Sequence, residues 1–215
     1  MASIEITLTP QMKDQAAIHA RQRSLKIKRR FVPDHAPLSA IESNFIGALG
    51  EIAIHYLMEG RVYLSENYNE AKADKGDILI KDLVFDIKTE AVPQKYYQRI
   101  IHGDISEYEP YGCRVWTATH LHHLPKYTGG IIFNVVPIPD NARFSKEAHL
   151  LRPPLFEYID RLLVVGFVKP ADILSRKPTL FSPPHPVTGR RFKYNSLNFL
   201  FRPAELRDIE LLFRE

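Results

Sequence analysis

Two short apolar runs, residues 77–80 and 83–89, stand only two residues apart, with Lys81 and Asp82 between them. Runs that close read as an antiparallel hairpin, although Lys-Asp is not a strong two-residue turn. The pairing is then set outward from the turn. Ile80 faces Leu83, Leu79 faces Val84 and, at the open end, Asp77 faces Asp86. Side chains alternate along a strand and cross-strand partners share a face, so Asp77, Asp86 and Lys88 belong to one side of the hairpin. Two carboxylates in direct opposition repel unless something compensates. A divalent cation would do so, because hard cations take oxygen ligands and keep some water. A lysine two residues from a ligand can reach a phosphate oxygen or the attacking water. The set suits metal-assisted hydrolysis of a phosphodiester, where negative charge develops on phosphate. A D-x-K sequence alone is common and reads rather as the wet face of a surface hairpin; the second acid in matching register shifts the balance toward chemistry.

The clearest helix covers residues 39–59. Ser39-Ala40-Ile41-Glu42 is a capping-box sequence. Ile41, Phe45, Ala48, Leu49, Ile52 and Tyr56 recur at helical spacing, and Gly60 fits a stop. Glu51 lies off the centre of that stripe, on a lateral strip with Asn44, Gly47 and His55. A glycine inside a helix costs about 1 kcal/mol relative to alanine, so Gly47 is expected to serve packing or access beside Glu51. Glu51 is expected to project from the helix edge toward the sheet as a third acid.

These residues resemble the PD-(D/E)xK nuclease superfamily, whose fold is restriction-endonuclease-like. That pattern has a glutamate on the first core helix, an aspartate at the end of one strand and (D/E)-x-K on the next. Gly47-Ala48-Leu49-Gly50-Glu51 is similar to the helix motif, Asp77 to the first acid, and Asp86-Ile87-Lys88 to the D-x-K. Gly76 stands where the pattern has proline. The resemblance implies that Glu51, Asp77, Asp86 and the Ile87 carbonyl bind Mg²⁺, with Mn²⁺ as a substitute, and that Lys88 positions or activates the attacking water. The overall layout also resembles small phage or prophage nucleases.

The rest of the chain is read around this core. At 215 residues, with 45% hydrophobic and 25% charged residues and a net charge of +4, it has the makings of a globular domain and permits a polyanionic partner. The lone cysteine, Cys113, excludes an internal disulfide framework; with no secretory pattern and no long apolar run, a cytoplasmic protein off the membrane is expected. Residues 1–36 read as a basic helical arm, helical over 12–28 and carrying Lys13, Arg21, Arg23, Lys26 and Lys28, a solvated face or a contact to phosphates. Residues 37–215 read as the nuclease-like domain. Further strands are expected at 61–64, 114–119, 130–136, 162–168 and 196–201. Helices are expected at 171–174 and 203–213, helix or loop at 92–101, and long loops at 137–160 and 176–194.

Lys95, Tyr96 and Arg99 follow the D-x-K closely, and Arg190, Arg191 and Lys193 form a second basic-aromatic group; both are candidate contacts to nucleic acid. Glu90 shares the face of Asp86 and Lys88, and reads as the strand's exposed end. His120-x-His122-His123 lacks a matching cysteine or carboxylate and reads as a His-rich loop. The expected architecture is α/β, a restriction-endonuclease-like mixed central β-sheet flanked by helices. The expected function is Mg²⁺-dependent endonucleolytic hydrolysis of DNA, with a two-fold dimer by analogy for duplex cutting. The alternatives are an inactive nucleic-acid-binding or assembly module of the same fold, and a hydrolase of small phosphorylated substrates.

Overall fold

The structure, a computed structural model, describes residues 3–26, 38–58, 63–64, 77–140, 153–180 and 197–213. In chain order the regular elements are β1 (Ile4–Thr7), α1 (Pro10–Lys26), α2 (Ala40–Leu57), β2 (Tyr63–Leu64), β3 (Ile78–Ile80), β4 (Leu83–Pro93), α3 (Gln94–Ile101), β5 (Arg114–Thr117), β6 (Gly130–Ile138), α4 (Pro153–Tyr158), β7 (Arg161–Val168), α5 (Pro170–Leu174) and β8 (Asn198–Phe201). Six strands form a mixed sheet in the order β1-β7-β6-β4-β3-β2, in which β4 and β6 are parallel and the other pairs antiparallel. This is a mixed α/β fold with helices on both faces of the sheet.

The hairpin forms in the expected register. Ile80 pairs with Leu83, Leu79 with Val84 and Ile78 with Phe85. The Asp77 N–H then donates at 2.8 Å to the carbonyl of Phe85, which is already Ile78's partner, so the regular pairing ends there and Asp77 falls one residue out of the expected register with Asp86. Lys81 and Asp82 have φ of 47° and 64°. Two successive left-handed residues are what a hairpin-closing turn of the primed type requires. Neither residue is glycine, so the apolar strands impose the turn rather than the turn residues selecting it.

α2 lies on the sheet face that carries Phe85 and Ile87, and the expected capping box starts it: the Glu42 N–H donates to Ser39 Oγ at 3.2 Å and the Ser39 N–H to Glu42 Oε2 at 2.9 Å. Its burial is wider than one stripe, because Ile46, Ala53 and Ile54 are buried alongside Ile41, Phe45, Leu49 and Ile52. The reason is α1, which covers the outer side of α2 with Met12, Ala16, Ala17 and Ala20. Leu8, Met12, Ala16 and Ala20 recur every four residues, and the small side chains let the two helices approach closely. The basic helix is therefore a layer of the fold, and β1 before it pairs with β7 through Ile6↔Leu162 and its neighbours. The boundary between residues 36 and 37 lies outside the described residues.

Two glycines of α2 differ. A Cβ on Gly50 would stand 1.8 Å from Thr89 Oγ1 and 3.0 Å from Asn134 Nδ2, so this is where helix and sheet touch. A Cβ on Gly47 would meet only Arg23 Nη1, at 3.6 Å. Gly50→Ala should destabilise the fold by roughly 1–3 kcal/mol through overpacking. Gly47→Ala should be neutral or stabilise it by up to about 1 kcal/mol through helix propensity. Urea denaturation checks both, and equal effects would contradict the packing described.

The opposite face of the sheet is covered by the β5–β8 ribbon, α3 and α5, over a second core that includes Tyr97, Trp116, Phe133, Phe199 and Phe201. The single terminal helix expected over 203–213 does not form. Two short 3-10 turns, Pro203–Glu205 and Ile209–Leu212, flank Arg207. Arg207 exchanges backbone hydrogen bonds with Phe167 at 2.8 and 3.1 Å, and its guanidinium grips Asp172. That pairing at the edge of β7 requires extended backbone, and it overrides helical propensity. The expected loop at 137–160 contains the end of β6 and α4; residues 141–152 and 181–196, with Gly60, lie outside the described residues. No helix among the described residues is long and apolar enough to cross a membrane.

Candidate functional site

β4 alternates between the two cores. Phe85 and Ile87 point toward α2, and Asp86, Lys88 and Glu90 point toward the β5–β8 ribbon. β3 pairs with β4 only as far as Phe85, whereas β4 runs on beside β6 to Pro93. Asp77 stands where the hairpin opens.

Asp86 is buried, at 4% exposure, and held from two sides. Lys88 Nζ donates to Oδ1 at 2.7 Å, and the indole Nε1–H of Trp116 donates to Oδ2 at 3.3 Å. The Lys88 side chain remains 37% exposed. Across the hairpin, Asp77 Oδ2 accepts the Ile87 N–H at 2.7 Å. Burial and then the Asp86 charge push the Asp77 carboxyl up to about 7, against the opposing pull of Lys88 and the Ile87 amide. Glu51 is likewise pushed up to about 7, by burial and then by the charge of Asp77, while Arg23 and Lys88 pull it down. For Lys88, burial disfavours the charge, but Asp86, Asp77 and Glu51 outweigh it and hold the ammonium above the ordinary lysine range. Glu51, Asp77, Asp86 and Lys88 thus form one electrostatic unit, with Asp77 linking the helix acid to the strand acid.

Glu51 does not stand alone at the helix edge. Arg23, near the end of α1, donates from Nη2 to Glu51 Oε2 at 2.5 Å, with the two side chains 14% and 10% exposed. Asn44 Nδ2 donates to Ser24 Oγ at 3.1 Å, two turns back along the same strip. The lateral strip of α2 therefore faces α1 along Asn44, Gly47 and Glu51, with the Arg23 guanidinium beside Gly47. The sequence reads Arg23 as one of several basic residues on a helix face; its partner depends on how α1 packs, which no local spacing encodes. Arg23→Ala should cost roughly 3 kcal/mol at pH 8, by leaving an ionised Glu51 buried without this guanidinium. The cost should shrink below pH 6, where Glu51 holds its proton. Urea melts at the two pH values check this, and an equal loss at both would refute the charge pairing.

Glu90 is not simply an exposed strand end. Its Oε2 accepts Arg114 Nη1 at 2.5 Å, and the Arg114 side chain is only 2% exposed. Burial raises the Glu90 pKa and Arg114 lowers it, with a net rise. On α3, Lys95 is exposed with its ammonium 5.1 Å from the Tyr96 ring centre, and Tyr96 is buried against Tyr111. Arg99 forms a two-pronged pair with Glu109 at 2.7 and 2.9 Å and donates to the Asp104 carbonyl. Of the first basic group, Lys95 is the residue that offers an exposed charge. Arg190, Arg191 and Lys193 lie outside the described residues. The histidines fall in a 3-10 helix, Ala118–Lys126, with the His122 and His123 rings 3.6 Å apart. Cys113 is a buried free thiol.

Comparison with protein-family models, with curated proteins and with solved structures gives no match. The chemistry of the site therefore rests on its own residues.

Those residues fit a hard divalent cation by donor type. Three carboxylates and the Ile87 carbonyl offer oxygen, and two of the acids are held toward neutrality by burial and by one another's charge, a penalty that a dication removes. They are not already gathered round one point: among the described residues no group of three or more His, Cys, Asp or Glu could hold a metal ion. Arg23 on Glu51 and Lys88 on Asp86 supply the positive charge instead.

Proposed function

We propose that the protein is a metal-dependent phosphodiesterase acting on DNA, most simply an endonuclease, with a restriction-endonuclease-like arrangement of its site. One observation carries the reading: Asp77, held at the open end of the hairpin by the Ile87 N–H, stands within electrostatic reach of both Asp86 and Glu51, and a partly exposed Lys88 bonds Asp86. A helix glutamate, an aspartate at the end of one strand and D-x-K on the next is the pattern of the PD-(D/E)xK superfamily. Glu51, Asp77, Asp86 and the Ile87 carbonyl would hold Mg²⁺ or Mn²⁺. When bound, the cation supplies Lewis-acid activation of water and of the scissile phosphate.

The chain's own contribution is charge and orientation. Lys88 presents a cation beside Asp86, where it attracts a phosphate oxygen and opposes the negative charge that develops there. The Ile87 amide fixes the Asp77 carboxylate at the hairpin mouth. Burial of Asp86 and Glu51 keeps bulk water from screening these charges. Lys95 is an exposed cation available to a flanking phosphate, and Arg190, Arg191 and Lys193 are further candidates.

The test is cleavage of plasmid, linear duplex, single-stranded and branched DNA and RNA with Mg²⁺ or Mn²⁺, beside a folded Asp86→Ala/Lys88→Ala control. Metal-dependent cutting that disappears in the control supports the reading. A second reading is an inactive nucleic-acid-binding module, favoured by the engagement of Glu51 and Asp86 with Arg23 and Lys88. It predicts nucleic-acid binding without cutting and no Mg²⁺- or Mn²⁺-dependent rise in Tm.

A further inference from the structure

Asp86 has two oxygens with donors of different kinds. Lys88, on Oδ1, belongs to the same strand and is partly open to solvent; Trp116, on Oδ2, comes from β5 and is 1% exposed. β5 meets the chemical face of β4 at two places. Trp116 donates to Asp86 and Arg114 donates to Glu90, so the two contacts bracket Lys88. The indole itself has no room to swing. It packs against its cross-strand partner Phe199, with ring centres 5.8 Å apart, and against the edge of His120 at 6.3 Å. A rigid N–H donor on one carboxylate oxygen fixes the plane of the carboxylate and leaves the other oxygen, held by the partly exposed lysine, to a ligand.

On the reading of the site given above, we infer that Trp116 is the positioning residue of Asp86: it orients the carboxylate toward a divalent cation, and its indole registers the cation's arrival. Trp116 is the only tryptophan of the chain, so intrinsic emission reads this one contact. The role resembles that of outer groups that orient ligands in metal sites generally, whose loss weakens metal binding roughly 10–100-fold. Trp116→Phe keeps an aromatic ring in the pocket and removes the donor, and it should show a loss of that size.

The experiment pairs calorimetric titration of the full chain with Mn²⁺ and a parallel titration of its tryptophan emission. The expected result is a saturable emission change with the calorimetric midpoint, absent in Asp86→Asn, and weaker Mn²⁺ binding by Trp116→Phe at unchanged circular dichroism. Calorimetric binding with a silent indole, or a Trp116→Phe variant that binds Mn²⁺ as wild type does, overturns the inference and leaves the metal site standing. Should Trp116→Phe not fold, the wild-type emission titration decides. No binding of Mn²⁺ or Mg²⁺ by the wild type overturns both the inference and the functional reading.

Discussion

Lys88→Ala should lower metal-dependent phosphodiester cleavage by about 10²–10³-fold, the loss expected when one preorganised stabiliser of developing charge is removed. The same variant should bind Mn²⁺ at least as tightly as wild type. Lys88 Nζ lies 2.7 Å from Asp86 Oδ1 and competes with any cation for that oxygen. Asp86→Asn should lose both properties, because it removes a ligand. Lys88→Arg should not restore the rate, since a planar guanidinium cannot occupy the place of a compact ammonium. Cleavage rates and Mn²⁺ calorimetry on the same preparations check the pair. A Lys88→Ala protein that folds, binds metal and cuts at the wild-type rate would remove Lys88 from the mechanism.

The second large effect is on stability. In the metal-free fold Glu51 and Asp77 are both raised to about 7, whereas unfolded carboxyls titrate near ~4. Between those values the native state holds more protons than the unfolded state. Stability therefore falls as pH rises across that window, by an amount on the order of a few kcal/mol. The protein without metal should melt at a clearly higher temperature at pH 5.5 than at pH 8. Mg²⁺ should reverse the loss at pH 8, where the acids are ionised, and should do little at pH 5.5. Calorimetric scans at the two pH values, with and without Mg²⁺, measure all four combinations. A Tm that rises with pH in the absence of metal would contradict the burial and mutual repulsion assigned to these acids.

The sequence makes the hairpin register, the helix cap and the convergence of Asp77, Asp86 and Lys88 legible, because each depends on neighbours within a dozen residues. Asp77 comes back beside Asp86 and Ile87 through a two-residue turn, and Ser39 reaches Glu42 within one helical turn. What escapes the sequence is what distant segments bring. Ile4–Thr7 is too short to declare itself a strand, and it becomes one only against β7. The alanines of α1 read as helix, and only the packed structure shows that they cover α2 and carry Arg23 to Glu51. Trp116 and Arg114 alternate along β5 in the ordinary way, yet their acceptors on β4 precede them by more than twenty residues. The terminal segment fails as a helix for the same reason, since Arg207 answers to Phe167 and Asp172 rather than to its neighbours.

The pairing of β1 with β7 also has a consequence for synthesis on the ribosome. Arg23, Glu51, Asp77, Asp86 and Lys88 all emerge before residue 90, but β6, which pairs with β4, and β7 beyond it come much later. Until β7 has left the exit tunnel, β1 has no partner and the sheet cannot close. Contacts across so much of the chain are slow to form, because the loop entropy must be lost before the pairing compensates for it. The nascent chain thus carries its full set of acids and its lysine long before it can hold them together, and their joint placement awaits the last strands of the sheet.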